Sequence, residues 1–197
     1  MNRRRFFQSS VAAAVAYALP APRLWALDQA ASQAAGGLAA VKLDGSATTI
    51  EQAALKELRG SLRGPVLLAG DAGYDQARRV LNESFDRHPA LVVQPTGVAD
   101  VQNAVAFANE RDLLVAVKCG GHSPGGKSTC DGGMQIDLSR LHGARVDAAG
   151  RRAWVDGGSL LGEMDHETMA LGLVTTAGTV SHTGVGGLTL GGGFGRV

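Results

Sequence analysis

A chain of 197 residues with 19 Lys and Arg against 18 Asp and Glu carries a formal charge of +1. That balance, with no basic stripe interleaved with aromatics, excludes nucleic acid and an anionic membrane surface as expected partners. Two cysteines, Cys119 and Cys130, are too few for a disulfide framework; lacking C-x-x-C spacing or a histidine partner, they imply no metal.

The first stretch reads basic, then apolar, then small. Asn2-Arg3-Arg4-Arg5-Phe6-Phe7 fits a twin-arginine export signal, with Arg3 and Arg4 as the pair. The apolar run from Val11 to Leu19 is shorter than the ~20 residues that a hydrocarbon core requires, so no membrane span is expected. Leu24-Trp25-Ala26 offers a cleavage site. The expectation is a signal peptide over 1–26, folded export by the twin-arginine machinery, and a periplasmic or extracellular location. An uncleaved amphipathic anchor is the alternative.

Residues 27–47 are small and weakly patterned and read as a flexible linker, leaving 48–197 as one domain. Thr48 or Thr49 is expected to cap a short helix with Ile50, Ala53, Ala54, Leu55 and Leu58 on its apolar face. A second helical stretch is expected over 75–82. Leu91 to Gln94 reads as a short apolar strand. A helix over 98–110 follows, with Val98, Val101, Val105 and Phe107 inward, and then a second buried strand over 113–117. Together these make a β-α-β unit with parallel strands. Strands over 135–137, 143–147 and 152–156 read as a mostly antiparallel segment. A helix over 160–171 closes the pattern, with Leu161, Met164, Met169 and Leu171 inward. The fold class is α+β.

Glycine is the compositional outlier at 28 residues, with several clustered at 119–133 and many more at 172–195. Glycines packed this way mark turns of positive φ or backbone lying close to another group. Gly121 to Ser128 matches the phosphate-loop spelling G-x-x-x-x-G-K-[ST] and follows a strand. A triphosphatase, however, needs Lys127 and Ser128 to open a helix whose amides hold the phosphates. Gly132 and Gly133 in the would-be first turns, and Pro124 within the loop, argue against that. The later cluster from Gly184 to Gly195 yields no G-x-G-x-x-G in any register and lies far from a first βα turn.

Two segments resemble a known family. Lys118-Cys119-Gly120-Gly121-His122-Ser123, followed by Cys130-Asp131-Gly132-Gly133-Met134-Gln135-Ile136-Asp137, resembles the flavin-attachment loop of FAD-linked oxidases similar to berberine bridge enzyme. These belong to the wider vanillyl-alcohol oxidase and p-cresol methylhydroxylase group. Gly178-Thr179-Val180-Ser181-His182-Thr183-Gly184-Val185-Gly186-Gly187, running on through Gly191 and Gly192 to Gly195, is similar to that family's second flavin loop. The resemblance covers roughly residues 70–197, with both loops in the family's order.

The resemblance implies a FAD-binding domain of the p-cresol methylhydroxylase type and a covalent bond from His122 to the flavin 8α carbon. Read from the residues alone, His122 is a turn histidine beside glycines. The resemblance also assigns cofactor contacts to Lys118, Cys119, Gly120, Gly121, Ser123, Gly178, Thr179, Val180, Ser181, Thr183, Gly184, Gly187, Gly191 and Gly192. Backbone amides of both loops would serve as a nest of donors to the pyrophosphate. Val180 stands where some members carry a second attachment cysteine, so a single covalent link is implied. Lys118 replaces a common arginine, keeping the charge but losing the bidentate fork. His182 either lines the cofactor cavity or is a satisfied surface histidine. Tyr74 and Arg78 take a structural role.

The implied activity is hydride transfer from a C–H bond of an alcohol-, sugar- or amine-like small molecule to flavin, and then to O2 or another acceptor. In the family the catalytic base and most of the substrate pocket lie beyond the point matching Val197. No catalytic residue is therefore expected within this sequence, which reads as the N-terminal, truncated part of such an enzyme. A cofactor-free remnant is the alternative.

Overall fold

A computed structural model describes residues 36–195. The expected leader, and the expected linker as far as residue 35, lie outside the described residues.

The remainder of the expected linker is ordered. Strand β1 (Gly37–Val41) pairs antiparallel with β2 (Ala47–Glu51), matching Leu38 to Ile50 and Ala40 to Thr48. Leu38, Ala40 and Ile50 are buried on one face. The turn is fixed by Asp44, whose Oδ1 accepts from the Ser46 N–H at 2.9 Å. Alanines at Ala39 and Ala40 hide this period-two pattern, so a buried strand reads as a neutral connector. The β-branched Thr48, Thr49 and Ile50 belong to β2 and do not open the helix. Helix α1 (Gln52–Ser61) begins after Glu51 and buries Leu55 and Leu58.

Among the described residues the main sheet has four strands, β3 (Val66–Leu68), β4 (Leu91–Val93), β5 (Val115–Lys118) and β6 (Met134–Asp137), in the order β3-β4-β6-β5. Strand β3 runs antiparallel to β4, while β6 lies parallel to both β4 and β5. The β-α-β unit is therefore present, but its strands are not neighbours: β6 inserts between them. This corrects the expectation that residues 135–137 belong to an antiparallel segment. That description holds only for the hairpin of β7 (Ala144–Asp147) and β8 (Arg152–Val155).

Side-chain alternation splits the core across the sheet. Leu91, Val93, Met134 and Ile136 join Leu55, Leu58, Ala104 and Phe107 on one face. Val92 packs on the other against Tyr74 and Ala77 of α2 (Tyr74–Arg78). Helix α3 (Val98–Asn109) approaches through Ala104, Phe107 and Ala108, whereas Val98 and Val105 are 69% and 51% exposed. The small alanines let the helix close on the sheet; of the expected apolar face Phe107 is buried and Val101 half-buried, while Val98 and Val105 turn outward. Strand β5 is an edge strand with only Ala116 buried, since Val115 and Val117 face solvent. In helix α4 (Leu161–Met169) the inward residues are Leu161 and Met164; Met169 and Leu171 are exposed. Tyr74 and Arg78 are structural: the Tyr74 hydroxyl donates to Pro89 O at 2.5 Å, and Arg78 bonds Asp75 at 2.7 Å and Asp86 at 2.5 Å.

Candidate functional site

Three parallel strands end side by side, at Gln94 just after β4, Lys118 on β5 and Asp137 on β6. Ligands of open sheets with parallel strands gather outside such carboxyl ends. Asp137 joins the other two in one polar network, which Arg140 extends by donating to Gln94 Oε1 at 3.0 Å. Asp137, 1% exposed, accepts from Gln94 Nε2 at 2.8 Å and Ser139 Oγ at 3.1 Å. The Lys118 ammonium lies 3.5 Å from Asp137 Oδ2 and donates to Ala77 O. A buried carboxylate needs such partners. Lys118 thus sets its charge against Asp137 and the Ala77 carbonyl.

From Lys118 the chain crosses back to β6 through residues 119–133, without a helix. The stretch spelled like a phosphate loop therefore ends in turns, as its glycines and proline predicted. Gly121 has φ +69, a left-handed conformation that suits glycine, and its carbonyl accepts from Leu81 N at 3.1 Å. Ser123 Oγ accepts from Lys127 N at 3.1 Å, closing the turn after His122.

The second glycine loop, 178–184, lies against the first. It is pinned to the start of α4 by Leu161 N donating to Thr183 O at 2.9 Å and Gly162 N donating to Ser181 O at 2.8 Å. Val185 N then donates to Ser159 O at 2.8 Å, leading into helix α5 (Val185–Gly191). Gly120 and Gly184 touch backbone to backbone: a Cβ on Gly120 would sit 2.8 Å from His182 O, and one on Gly184 would strike Gly120 N and Cys119. Only glycine on both sides permits this approach.

The contact sets His122 beside His182. His122 Nε2 is 2.5 Å from His182 Nδ1, with ring centroids 4.5 Å apart. Burial, and then the neighbouring His182, hold the His122 imidazole below its usual pKa. Both rings line a cleft of about 420 Å³ with Cys119, Gly120, Ser139, His142 and Glu163. Glu163 bridges the wall, its Oε1 2.8 Å from His142 Nδ1 and its Oε2 accepting from Leu160 N at 2.7 Å. The sequence offered no signal for the His142–Glu163 pair, because the two residues meet only through the packing of α4 on β7.

The expected site residues divide in two. His122, Cys119 and Gly120 line the cleft, with Gly121, Ser123, Thr183 and Gly184 on the same two loops. Val180, Ser181 and Thr179 lie exposed on the rim loop, and Gly178 packs against Leu161 and Leu188. Gly187, Gly191 and Gly192 lie on exposed α5 and its end, Gly192 in the left-handed region at φ +79. Cys119 and Cys130 are both free thiols, and burial pushes the Cys130 thiol up to about 11. Among the described residues no cluster of three or more His, Cys, Asp or Glu could hold a metal ion, and no helix is long and apolar enough to cross a membrane.

The residues fit a flavin nucleotide. The N–H groups of Gly120, Gly121 and Ser123 have no protein acceptor among the described residues, although Gly121 is buried. Buried amides require a partner, and a pyrophosphate is one that matches a nest of donors. Thr183 N is not part of such a nest, since it donates to Val180 O at 3.0 Å.

Comparison with known proteins agrees with this geometry. The FAD binding domain family matches residues 89–197. A FAD-linked oxidoreductase of Dictyostelium discoideum is 40% identical over 73% of this chain and 31% of its own length. Berberine bridge enzyme-like D-1 of Nicotiana tabacum is 34% identical over 54% of this chain and 20% of its own length. A solved structure of glucooligosaccharide oxidase from Acremonium strictum, an enzyme described with a 6-S-cysteinyl, 8α-N1-histidyl FAD, is 28% identical with a TM-score of 0.65, over 72% of this chain and 30% of that one. The chain thus spans about a third or less of the length of these relatives. With the family match covering more than half of its residues, and both glycine loops in the family's order, this protein belongs to the FAD binding domain family, in the fold of the p-cresol methylhydroxylase type.

Proposed function

We propose that the chain is the cofactor-binding part of an oxidoreductase with FAD bonded covalently through His122 alone. The whole protein would take a hydride from an alcohol-, sugar- or amine-like small molecule and pass electrons to O2 or another acceptor. The observation that carries this reading is His122, held in a cleft between two glycine loops that meet at Gly120 and Gly184. The histidyl flavin of the glucooligosaccharide oxidase supports the same linkage. Val180 at the later attachment position supports a single link.

Bound FAD supplies the electron sink; the protein positions and tunes it. The amides of Gly120, Gly121 and Ser123 would receive the pyrophosphate. His122 would fix the ring, with its imidazole held below its usual pKa by burial and then by His182. Gly120 and Gly184 keep side chains out of the seam between the loops.

The leader extends the reading: Arg3 and Arg4 would direct folded, flavin-loaded protein through the twin-arginine machinery to the periplasm or medium. An Arg3→Lys, Arg4→Lys double variant retained in the cytoplasm would support this; unchanged export would sink it.

The central test is flavin fluorescence of the denatured protein band, beside His122→Ala. Fluorescence that stays with the wild-type band and disappears in the variant is the expected result. A band that is dark in both, or bright in both, overturns attachment at His122.

A further inference from the structure

We propose that His182 is the positioning residue for flavin attachment: by accepting the Nε2 proton of His122, it presents His122 Nδ1 as the attacking nitrogen. The inference rests on the covalent-flavin reading above. It adds a role for a second histidine that the glycine motifs do not require.

Three observations carry it. The two imidazoles meet through Nε2 of His122 and Nδ1 of His182 at 2.5 Å, while His122 Nδ1 has no hydrogen-bond partner among the described residues. A neutral pair shares a single proton in that bond, so one ring donates and the other accepts. When His122 donates, its Nδ1 carries the free lone pair that a nucleophile needs. The pairing is also enforced by the backbone. His182 O packs on Gly120, and its neighbour Ser181 is tied to the first turn of α4 by the Gly162 amide. Finally, both rings line the same cleft, so the pair faces the space the cofactor would enter.

The chemistry balances with dioxygen as oxidant. The Nδ1 lone pair forms the N–C8α bond, and one C8α–H bond breaks with its proton lost to solvent. The electron pair of that C–H bond stays on the flavin ring, which is then reduced by two electrons. Without a proton acceptor the newly substituted imidazole would be left cationic; the Nε2 proton passes instead to His182 Nδ1 and on to water. Dioxygen takes the two electrons with two protons and leaves as hydrogen peroxide.

The test uses the intact chain, prepared in riboflavin-limited cells and mixed with FAD. Flavin retained by the acid-denatured band is followed over time, and total flavin bound before denaturation is read from absorbance. His182→Ala should bind FAD but attach it ~10²-fold more slowly, the scale of a lost proton acceptor. Added imidazole should restore part of that rate. His182→Asn, whose carbonyl can hold the Nε2–H but cannot take the proton, should fall between the two. Attachment in His182→Ala at the wild-type rate overturns the proposal and leaves the His122 linkage standing. Loss of even non-covalent FAD in His182→Ala also overturns it, since His182 would then act in binding. Absence of attached flavin in wild type, or its persistence in His122→Ala, removes the underlying reading and this proposal with it.

Discussion

Asp100 is a carboxylate almost withdrawn from water, 3% exposed. Burial alone would raise its pKa, but donors outweigh it: the amides of Arg63, Gly64 and Thr96 at 3.0–3.1 Å and the Thr96 hydroxyl at 3.1 Å. The net result is a carboxyl held below its ordinary value. An amide at this position has one acceptor oxygen in place of two, so Asp100→Asn should cost about 1–3 kcal/mol in denaturant melts at pH 7. The sign with pH follows from linkage. Because the folded value is depressed, the contribution is complete above the unfolded pKa of about 4 and is lost as pH falls through the folded value. The variant should therefore lose less stability than wild type on acidification below about pH 4. Equal stability of the two proteins at pH 7 would refute this account of the loop 62–64.

At the scale of elements, the site is a contact between two loops, and glycine matters where they touch. Gly184→Ala places a methyl against Gly120 N and the Cys119 side chain. The expected result is a loss of about 1–3 kcal/mol by overpacking, together with a lower flavin-to-protein absorbance ratio. Gly60, inside α1, provides the contrast: nothing lies within 4 Å of a Cβ built there. Gly60→Ala should stabilise the protein by about 0.5–1 kcal/mol, through helix propensity and the unfolded chain. If thermal melts give both variants the same sign, the seam between the loops is not as tight as the backbone geometry requires.

For the molecule as a whole, β6 is the keystone, buried on both faces and paired on both edges. Met134 is fully buried between the strands and α3, and Met134→Ala should cost about 2–5 kcal/mol. Val115→Ala on the edge strand, where the side chain is 36% exposed, should change stability by about 0.5 kcal/mol or less. Calorimetric melts of the two proteins test the ranking. Comparable losses would mean that β5 is as deeply packed as β6.

The sequence by itself determined the pieces whose causes are local. Gly120, Gly121 and Gly184 announced close backbone approach, Gly132 and Gly133 ruled out a helix after Lys127, and the β-α-β pattern of residues 91–117 was legible in its apolar periods. Only the tertiary structure decided how those pieces sit. It set β6 between β4 and β5, turned Val98 and Val105 of α3 outward, paired Leu38 of an apparent linker with Ile50 as buried partners, drew the Lys118 ammonium onto Asp137, and brought His182 to His122 across a separation of 60 positions. Periodicity reports which residues share a face, because that is fixed by backbone geometry within a few residues. Which face is covered, and by what, depends on contacts between segments distant in the chain, and these exist only once the sheet has assembled.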